Sequence, residues 1–358
     1  MKTAAPAPIP VSSSTSVPGS GSATARSVSA VVSAPSADAV ATTEKDLQRM
    51  VEASGLLAVP RGRHKLASVL DRLGLLYQPA GDGAVLGLQP EYAQMSAGAT
   101  AVALLAEMQY ADASGDRRFE AAGARWLRGL AALHVAGHGF RVTPTKIHVS
   151  PFADGEGWLA LAYYERRRPG DPTVRSILTS LENSLIKQYD ASFSISFYQW
   201  GTMAAAVRWD TTRDARFASF IEQQTLNAMK WLSEPRAHNT CATVEGLATA
   251  ARVLQDAGRP SDLLKAIDQH ITTEMRKNYE FQIAPNAGRF DLGNGTSVVS
   301  PRLEEFAGAF FHERHRAYTR IDFTGHCLSA MVKLRGAVGW KATEPMRHRR
   351  RTPIHDES

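Results

Sequence analysis

The sequence predicts an all-α protein, an (α/α)6 toroid in which antiparallel helical hairpins form a ring. Two observations predict this fold. A short polar linker containing aspartate returns at Ser114–Phe119, Pro169–Pro172, Thr212–Phe217 and Gly258–Asp262. Each copy follows one Ala-rich apolar segment and begins another, and their aspartates lie about 43 to 55 residues apart, the period of a two-helix repeat. With 358 residues, 44% of them hydrophobic, the chain can also bury one large continuous core.

The composition of the two ends separates them from the repeats. Residues 1–42 are rich in Ala, Ser and Pro with almost no charge, so they are predicted to be a disordered arm. The toroid domain is predicted over residues 43–340, where Thr-Glu-Lys-Asp at 43–46 resembles a helix capping box. Residues 341–358 are predicted to be a basic, disordered tail. The arm and the tail are the segments we expect to contact a protein partner, if one exists.

Between the two ends the spacing of apolar residues indicates alternating helices. Twelve are predicted, at Glu44–Leu57, His64–Leu76, Tyr92–Ala111, Arg118–Val135, Gly155–Arg168, Thr173–Tyr189, Ser196–Trp209, Ala215–Leu232, Thr243–Ala257, Asp262–Tyr279, Leu303–Phe311 and Ile321–Val338. Segments that are small and apolar all round, such as 97–106 and 242–254, are predicted to lie inside the ring, and amphipathic ones outside. A Gly- and Asn-rich stretch near 284–302 is predicted to form a β-hairpin or an ordered loop over one mouth.

Several classes of protein are disfavoured. The longest apolar runs are far shorter than the roughly 20 residues of a membrane span, and no secretory signal is evident, so a cytoplasmic location is expected. The two cysteines, Cys241 and Cys327, are expected to be reduced and structural. The net charge of +6 is too dilute to indicate nucleic-acid binding. Phosphate-binding, dinucleotide-binding, zinc-protease and esterase motifs are missing, and no cofactor or metal is expected.

The candidate site is predicted at the starts of the inner helices, which converge on one end of the ring axis. Asp154 and Glu156 are candidates for acid/base catalysis, although an N-cap and a first-turn acid favoured by the helix dipole are the simpler interpretation. Tyr198, Gln199 and Trp200 are candidates for sugar binding, because aromatic faces stack on sugar rings and amides bind hydroxyls; the alternative is an ordinary core position.

Two further helix starts carry polar residues. His238 lies just before a predicted helix and Glu245 lies just inside it, and both are candidate substrate-binding residues. Zinc binding by His238 with Cys241 has little support. Asp322 and His326 are four residues apart on one helix face, so the carboxylate could orient the imidazole as a proton-handling pair. Arg320 is a further candidate for substrate binding. A salt bridge that locks the last helix is the alternative interpretation.

The predicted arrangement resembles the six-hairpin α/α toroids of glycan-active proteins. These include the N-acylglucosamine 2-epimerase type, the C-terminal domain of glucuronyl C5-epimerases, the unsaturated glucuronyl hydrolases and the polysaccharide lyases. The resemblance covers about residues 43–340 and depends on the repeats and on the helix phrases at 154–161 and 244–250. It implies that the ring mouth binds a polysaccharide or uronic-acid-containing segment and acts as a hydrolase, lyase or epimerase by acid/base chemistry.

Two alternatives come from other classes. One is a non-catalytic toroid that serves as a scaffold or partner subunit in a polysaccharide- or peptide-modifying assembly. The other is a terpenoid-cyclase-like toroid, which is disfavoured because the acid-rich metal motif of that class is missing.

Overall fold

The computed structural model describes most of the chain between residues 60 and 337. The described ranges are 60–74, 78–86, 96–144, 146–285, 288–292, 296–313 and 316–337. The predicted arm, the predicted first helix at Glu44–Leu57 and the predicted basic tail lie outside these residues.

The described residues are mostly helical, as the all-α prediction requires. The α-helices within them are α1 (Pro60–Leu73), α2 (Ser96–Ser114), α3 (Glu120–Leu133), α4 (Pro151–Arg167), α5 (Pro172–Ala191), α6 (Ile195–Thr212), α7 (Ala215–Leu232), α8 (Cys241–Asp256), α9 (Ser261–Tyr279) and α10 (Ile321–Ala337). Eight short strands pair consecutively as antiparallel hairpins: β1 (Gln78–Ala80) with β2 (Gly83–Val85), β3 (Arg141–Thr143) with β4 (Lys146–Val149), β5 (Arg289–Asp291) with β6 (Ser297–Val299), and β7 (Phe311–Glu313) with β8 (Arg316–Thr319).

The returning aspartate linker has a local physical role. The side chain of Asp171 accepts hydrogen bonds from the backbone N–H groups of Thr173 and Val174, and Asp214 accepts one from Arg216. Both aspartates are therefore N-caps, each satisfying amide groups that the first turn of a helix leaves without an intrahelical partner. The linker starts the outer helices α5 and α7.

The helices form two layers. Helices α2, α4, α6, α8 and α10 each pack against the next in that order and are called the inner helices here, and α3, α5, α7 and α9, called the outer helices, pack against them as a second layer. Glycines allow the close approach of the inner helices: a Cβ on Gly155 of α4 would lie 2.5 Å from Cβ of Trp200 on α6, and a Cβ on Gly246 of α8 would lie 2.6 Å from the ring of Tyr198. These two glycines therefore let the axes of neighbouring helices come close together.

One predicted helix is wrong. The segment Leu303–Phe311 forms a 3₁₀-helix at Pro301–Phe306 and then the strand β7. Gly308 ends the helical segment with φ of 88°, a left-handed conformation that interrupts a right-handed helix. The predicted hairpin near 284–302 is confirmed as β5–β6, which has its own small core around Phe290, Val298 and Leu303.

The prediction of reduced cysteines is also wrong. Cys241 and Cys327 form a disulfide, although 86 residues separate them in the sequence. Cys241 is the first residue of α8 and Cys327 lies in the second turn of α10, and the packing of these adjacent inner helices brings their Cα atoms to 4.8 Å. The two cysteines come close because their helices pack together, and the number of residues between them in the sequence does not predict this contact.

The sequence predicts no helix long and apolar enough to span a membrane. Among the described helices, none is both long enough and apolar enough to cross a bilayer.

Candidate functional site

A cavity lies between the five inner helices, and each of them contributes to its wall. It contains about 390 Å³ of free space, which is in the range of small-molecule pockets. Apolar side chains form most of the wall, including Tyr163, Trp200 and Met203. The charged and hydroxyl groups of the wall include Arg166, Asp210, Glu245, Arg252, Ser329 and Lys333.

A buried hydrogen-bond cluster centred on Glu245 forms one end of the cavity. Oε2 of Glu245 accepts a hydrogen bond from Nε2 of Gln199 at 2.5 Å and lies 3.1 Å from Nδ1 of His326. Oε1 accepts a hydrogen bond from Oγ of Ser329 at 2.5 Å and forms an ion pair with Nζ of Lys333. Three helices, α6, α8 and α10, therefore meet at this one carboxylate, and we call these five residues the Glu245 cluster.

Helix geometry explains how α10 supplies three members of the cluster. His326, Ser329 and Lys333 are spaced three and four residues apart, so they lie on one face of the helix. The disulfide joins α10 to α8 at Cys327, next to His326, and at Cys241, one turn before Glu245. The covalent bond thus sets the separation of the two helices that carry most of the cluster.

Glu245 is ionised in this environment. Burial would raise the pKa of its carboxyl, but the positive charge of Lys333 and the hydrogen bond and charge of His326 outweigh burial and lower the pKa below its ordinary value. An ionised carboxylate with Lys333 beside it can hold a hydroxyl group or stabilise developing positive charge, and its lowered pKa makes it a weak base. It is a poor proton donor at neutral pH.

Two other predicted residues lie on helices that line the cavity. The indole ring of Trp200 forms part of the cavity wall and meets the imidazole of His326 edge-on, with 6.4 Å between ring centroids. Glu156 is buried on α4, three residues before Leu159 and seven before Tyr163, which both line the cavity. Glu156 therefore shares the cavity-facing side of α4, one turn closer to the start of that helix.

Asp154 has different surroundings. Helix α4 begins at Pro151, four residues before the predicted start, so Asp154 lies in the first turn and is not the N-cap. Its Oδ1 accepts a hydrogen bond from the backbone N–H of Phe140 at 2.9 Å, and its Oδ2 accepts one from the Tyr189 hydroxyl at 2.8 Å. A Cβ on Gly139 would collide with this carboxylate. These contacts connect α4 to the β3 hairpin and to α5, and Asp154 is not part of the cavity wall.

Asp154 gives stability a pH dependence that can be measured. Burial raises its pKa from 3.8 to about 6, which outweighs the hydrogen bonds from Phe140 and Tyr189. Because the folded-state pKa is the higher one, the stabilisation is fully present below the unfolded pKa and is lost as pH rises through about 6. Between a pH below 3.8 and a pH above about 6, we expect the free energy of unfolding of wild type to fall by roughly 3 kcal/mol relative to that of Asp154→Asn. Urea unfolding of both proteins at about pH 4 and about pH 7 measures this difference, and parallel pH profiles would contradict it.

Four remaining candidates lie apart from the cavity wall. Tyr198 is fully buried, its hydroxyl lies 3.3 Å from Oγ1 of Thr225, and its ring packs against α8 at Gly246. The ring of His238 packs beside Trp231 and His312.

Asp322 and Arg320 pair with each other. Nε of Arg320 donates a hydrogen bond to Oδ1 of Asp322 at 2.9 Å, and a second bond joins the other guanidinium nitrogen to Oδ2. Nδ1 of His326 lies within hydrogen-bond distance of Glu245 and Gln199.

Sequence reasoning missed Ser329, Lys333, Tyr163 and Arg166. The spacing of His326, Ser329 and Lys333 was a usable signal, because it places three polar residues on one face of an otherwise apolar helix. Within the part of the chain that the structure describes, no three His, Cys, Asp or Glu side chains are grouped so as to hold a metal ion.

Comparisons with protein-family models, with curated proteins and with solved structures find no match to this chain.

Proposed function

We propose that the inner and outer helices belong to an α/α toroid whose central cavity binds a carbohydrate and acts on it by acid/base chemistry. The observation that carries this proposal is the convergence of five alternate helices on one cavity that ends at the Glu245 cluster. Helices that pack in the order α2, α4, α6, α8 and α10 around a common space are what a toroid requires.

The side chains of the wall suit a sugar. Trp200 and Tyr163 provide apolar faces for the C–H surface of a ring, and the Glu245 cluster provides hydrogen-bond donors and acceptors for hydroxyl groups. Glu245 acts as the charge-stabilising group because Lys333 and His326 keep it ionised, and any proton that it accepts from the sugar is taken up as by a weak base. Lys333 lines the cavity beside Glu245 and is the candidate proton donor to the sugar. The reaction class is hydrolysis, elimination or epimerisation.

The alternative is a toroid without catalysis that binds a polysaccharide or a peptide for a partner enzyme. A wall in which Arg252 and Lys333 are already paired with carboxylates is compatible with binding alone. Turnover separates the two: the alternative predicts ligand binding with no product.

A blocked cavity tests the proposal directly. Val207 is half-buried in the cavity wall, so Val207→Trp is expected to fill part of the space and weaken sugar binding by at least ~10-fold without changing the melting temperature much. The matched control is Leu226→Trp, on the exposed side of α7. Calorimetric titration with a panel of gluco-, galacto- and manno-oligosaccharides and their uronic-acid counterparts measures both.

Two results would reject the proposal. Unchanged binding in Val207→Trp would place the ligand elsewhere. A wild-type protein that binds no member of the panel would exclude this carbohydrate function.

A further inference from the structure

Gln199 is a buried amide between large apolar side chains near the start of α6. Its neighbours in the sequence, Tyr198 and Trp200, are each at most 1% exposed, and Gln199 itself is 5% exposed. A buried amide is stable where protein groups replace the water that it has lost. Gln199 has two such groups, because its Nε2 lies 2.5 Å from Oε2 of Glu245 on α8 and 2.9 Å from Nδ1 of His326 on α10. The amide therefore joins three inner helices.

The charge of Glu245 decides which end of the Gln199 amide faces it. An ionised carboxylate has only acceptor oxygens, so the group beside it must be a donor. If the amide oxygen took the place of Nε2, it would lie 2.5 Å from Oε2 of Glu245, and two acceptors at that distance repel each other. The NH2 group therefore faces Glu245. Because an amide NH2 only donates, it is also the donor toward Nδ1 of His326.

The proton of the His326 imidazole then lies on Nε2. In a neutral imidazole one ring nitrogen carries a proton and donates, and the other accepts. A proton on Nδ1 would set this nitrogen against the Gln199 NH2 as two donors 2.9 Å apart. Oε2 of Glu245 is farther from Nδ1, at 3.1 Å, and already accepts a hydrogen bond from Gln199. Nδ1 is therefore the acceptor.

A neutral His326 agrees with the ionised state of Glu245. Lys333 pairs with the other oxygen, Oε1, so the carboxylate keeps a cationic partner at neutral pH. Because the pKa of Glu245 is lowered, this carboxylate takes up its proton only in acid, where imidazoles carry two protons. The positive charge of His326 acts on that titration and is not needed at neutral pH.

We propose that Gln199 is a positioning residue of the Glu245 cluster, whose amide donates to both Glu245 and His326 and so holds the imidazole as the tautomer with its proton on Nε2. The same bond fixes Oε2 of Glu245 on the protein side. Oε1, which contacts Ser329 and Lys333 of the cavity wall, is then the oxygen presented to a sugar. The described cavity wall does not include Gln199, so this role replaces the substrate binding predicted for it from the sequence. Only the effect on the sugar rests on the proposed function.

NMR of the ring nitrogens tests the tautomer directly. Long-range ¹H–¹⁵N correlation of ¹⁵N-histidine-labelled protein separates a ring nitrogen that carries a proton from one that does not, and His326→Asn identifies the His326 signals by their loss. At about pH 8, where imidazoles are ordinarily neutral, ligand-free wild type is expected to carry the proton on Nε2. A wild-type proton on Nδ1 would overturn the inference without any further variant.

Two variants of Gln199 are expected to move this proton. Gln199→Leu removes both donors and leaves Nδ1 facing Oε2 of Glu245, so Nδ1 should take the proton and donate it. Gln199→Glu should have the same effect, because a carboxylate accepts where the amide donated. The matched control is Gln109→Leu, which removes an amide from another part of the cavity wall and should leave the wild-type tautomer. A proton that stays on Nε2 in either Gln199 variant would contradict the proposal.

Sugar binding separates this inference from the proposed function. Gln199→Leu is expected to bind the best sugar of the panel at least ~10-fold more weakly, because Glu245 loses its anchor; unchanged affinity would reject the positioning of Oε1. If sugars bind and Val207→Trp blocks them, but the tautomer does not depend on Gln199, the carbohydrate cavity stands and the role of Gln199 is wrong. If no sugar binds, the proposed function fails, and the tautomer of the ligand-free protein still decides whether Gln199 positions the cluster.

Discussion

Removing the disulfide by Cys241→Ala with Cys327→Ala is expected to lower the free energy of unfolding by about 4–5 kcal/mol. The physical reason is the length of the loop that the bond closes: the two cysteines are 86 residues apart, and a cross-link over such a length removes much conformational freedom from the unfolded chain. Chemical denaturation of the two proteins under oxidising conditions measures the difference. Loss of ligand affinity should accompany it, because the bond lies beside His326.

Reductant is the control for this prediction. Wild type in a reducing buffer should approach the stability of the double variant, and the variant itself should not respond to reductant. Titration of thiols in unfolded, unreduced wild type should detect none. Two free thiols in that assay, or a double variant as stable as oxidised wild type, would contradict the disulfide as a stabilising link.

The second large effect is expected at Glu245. Glu245→Gln keeps the size of the side chain and its ability to accept a hydrogen bond from Ser329, but it removes the charge that Lys333 and His326 face. Loss of a positioned base is expected to lower turnover by roughly 10²–10⁴-fold. The measurement is the rate of product formation from the oligosaccharide that binds best.

The control for this variant is another carboxylate of the same wall. Asp210→Asn removes a charge paired with Arg252 and should lower turnover far less. Because the pKa of Glu245 is lowered, its ionised form, which the proposed function requires, should persist as pH falls through 4.5, the ordinary value for glutamate, and be lost only below it. Full turnover in Glu245→Gln, or loss of activity centred at 4.5, would exclude Glu245 as the working base.

The sequence was informative where structure is local. Helix α7 has the predicted ends, and most other helices differ by a few residues, because apolar spacing and aspartate caps act over one or two turns. Leu303–Phe311 was mistaken for a helix because its length and apolar content do not show that Gly308 redirects the chain into β7.

The candidate site was predictable only in part. Helix starts indicated Gln199, Trp200, Glu245 and His326, and the structure brings these four side chains together beside the cavity, whose wall includes Trp200 and Glu245. The rotation of each helix about its axis decides which side chains enter the cavity, and neighbouring helices set that rotation. For this reason Tyr198, adjacent to Gln199, points instead at Thr225 and Gly246. Whether any of these residues is catalytic stays a prediction.

The aspartate caps have a consequence for how quickly the chain can fold. Because Asp171 and Asp214 begin helices that pack beside their immediate predecessors, many native contacts join residues close in sequence. Short closing loops lose little entropy, and proteins rich in local contacts fold fast. We therefore expect the hairpins to form early, within milliseconds or less by that general relation. The long-range pairing of Cys241 with Cys327 then joins helices that are already built.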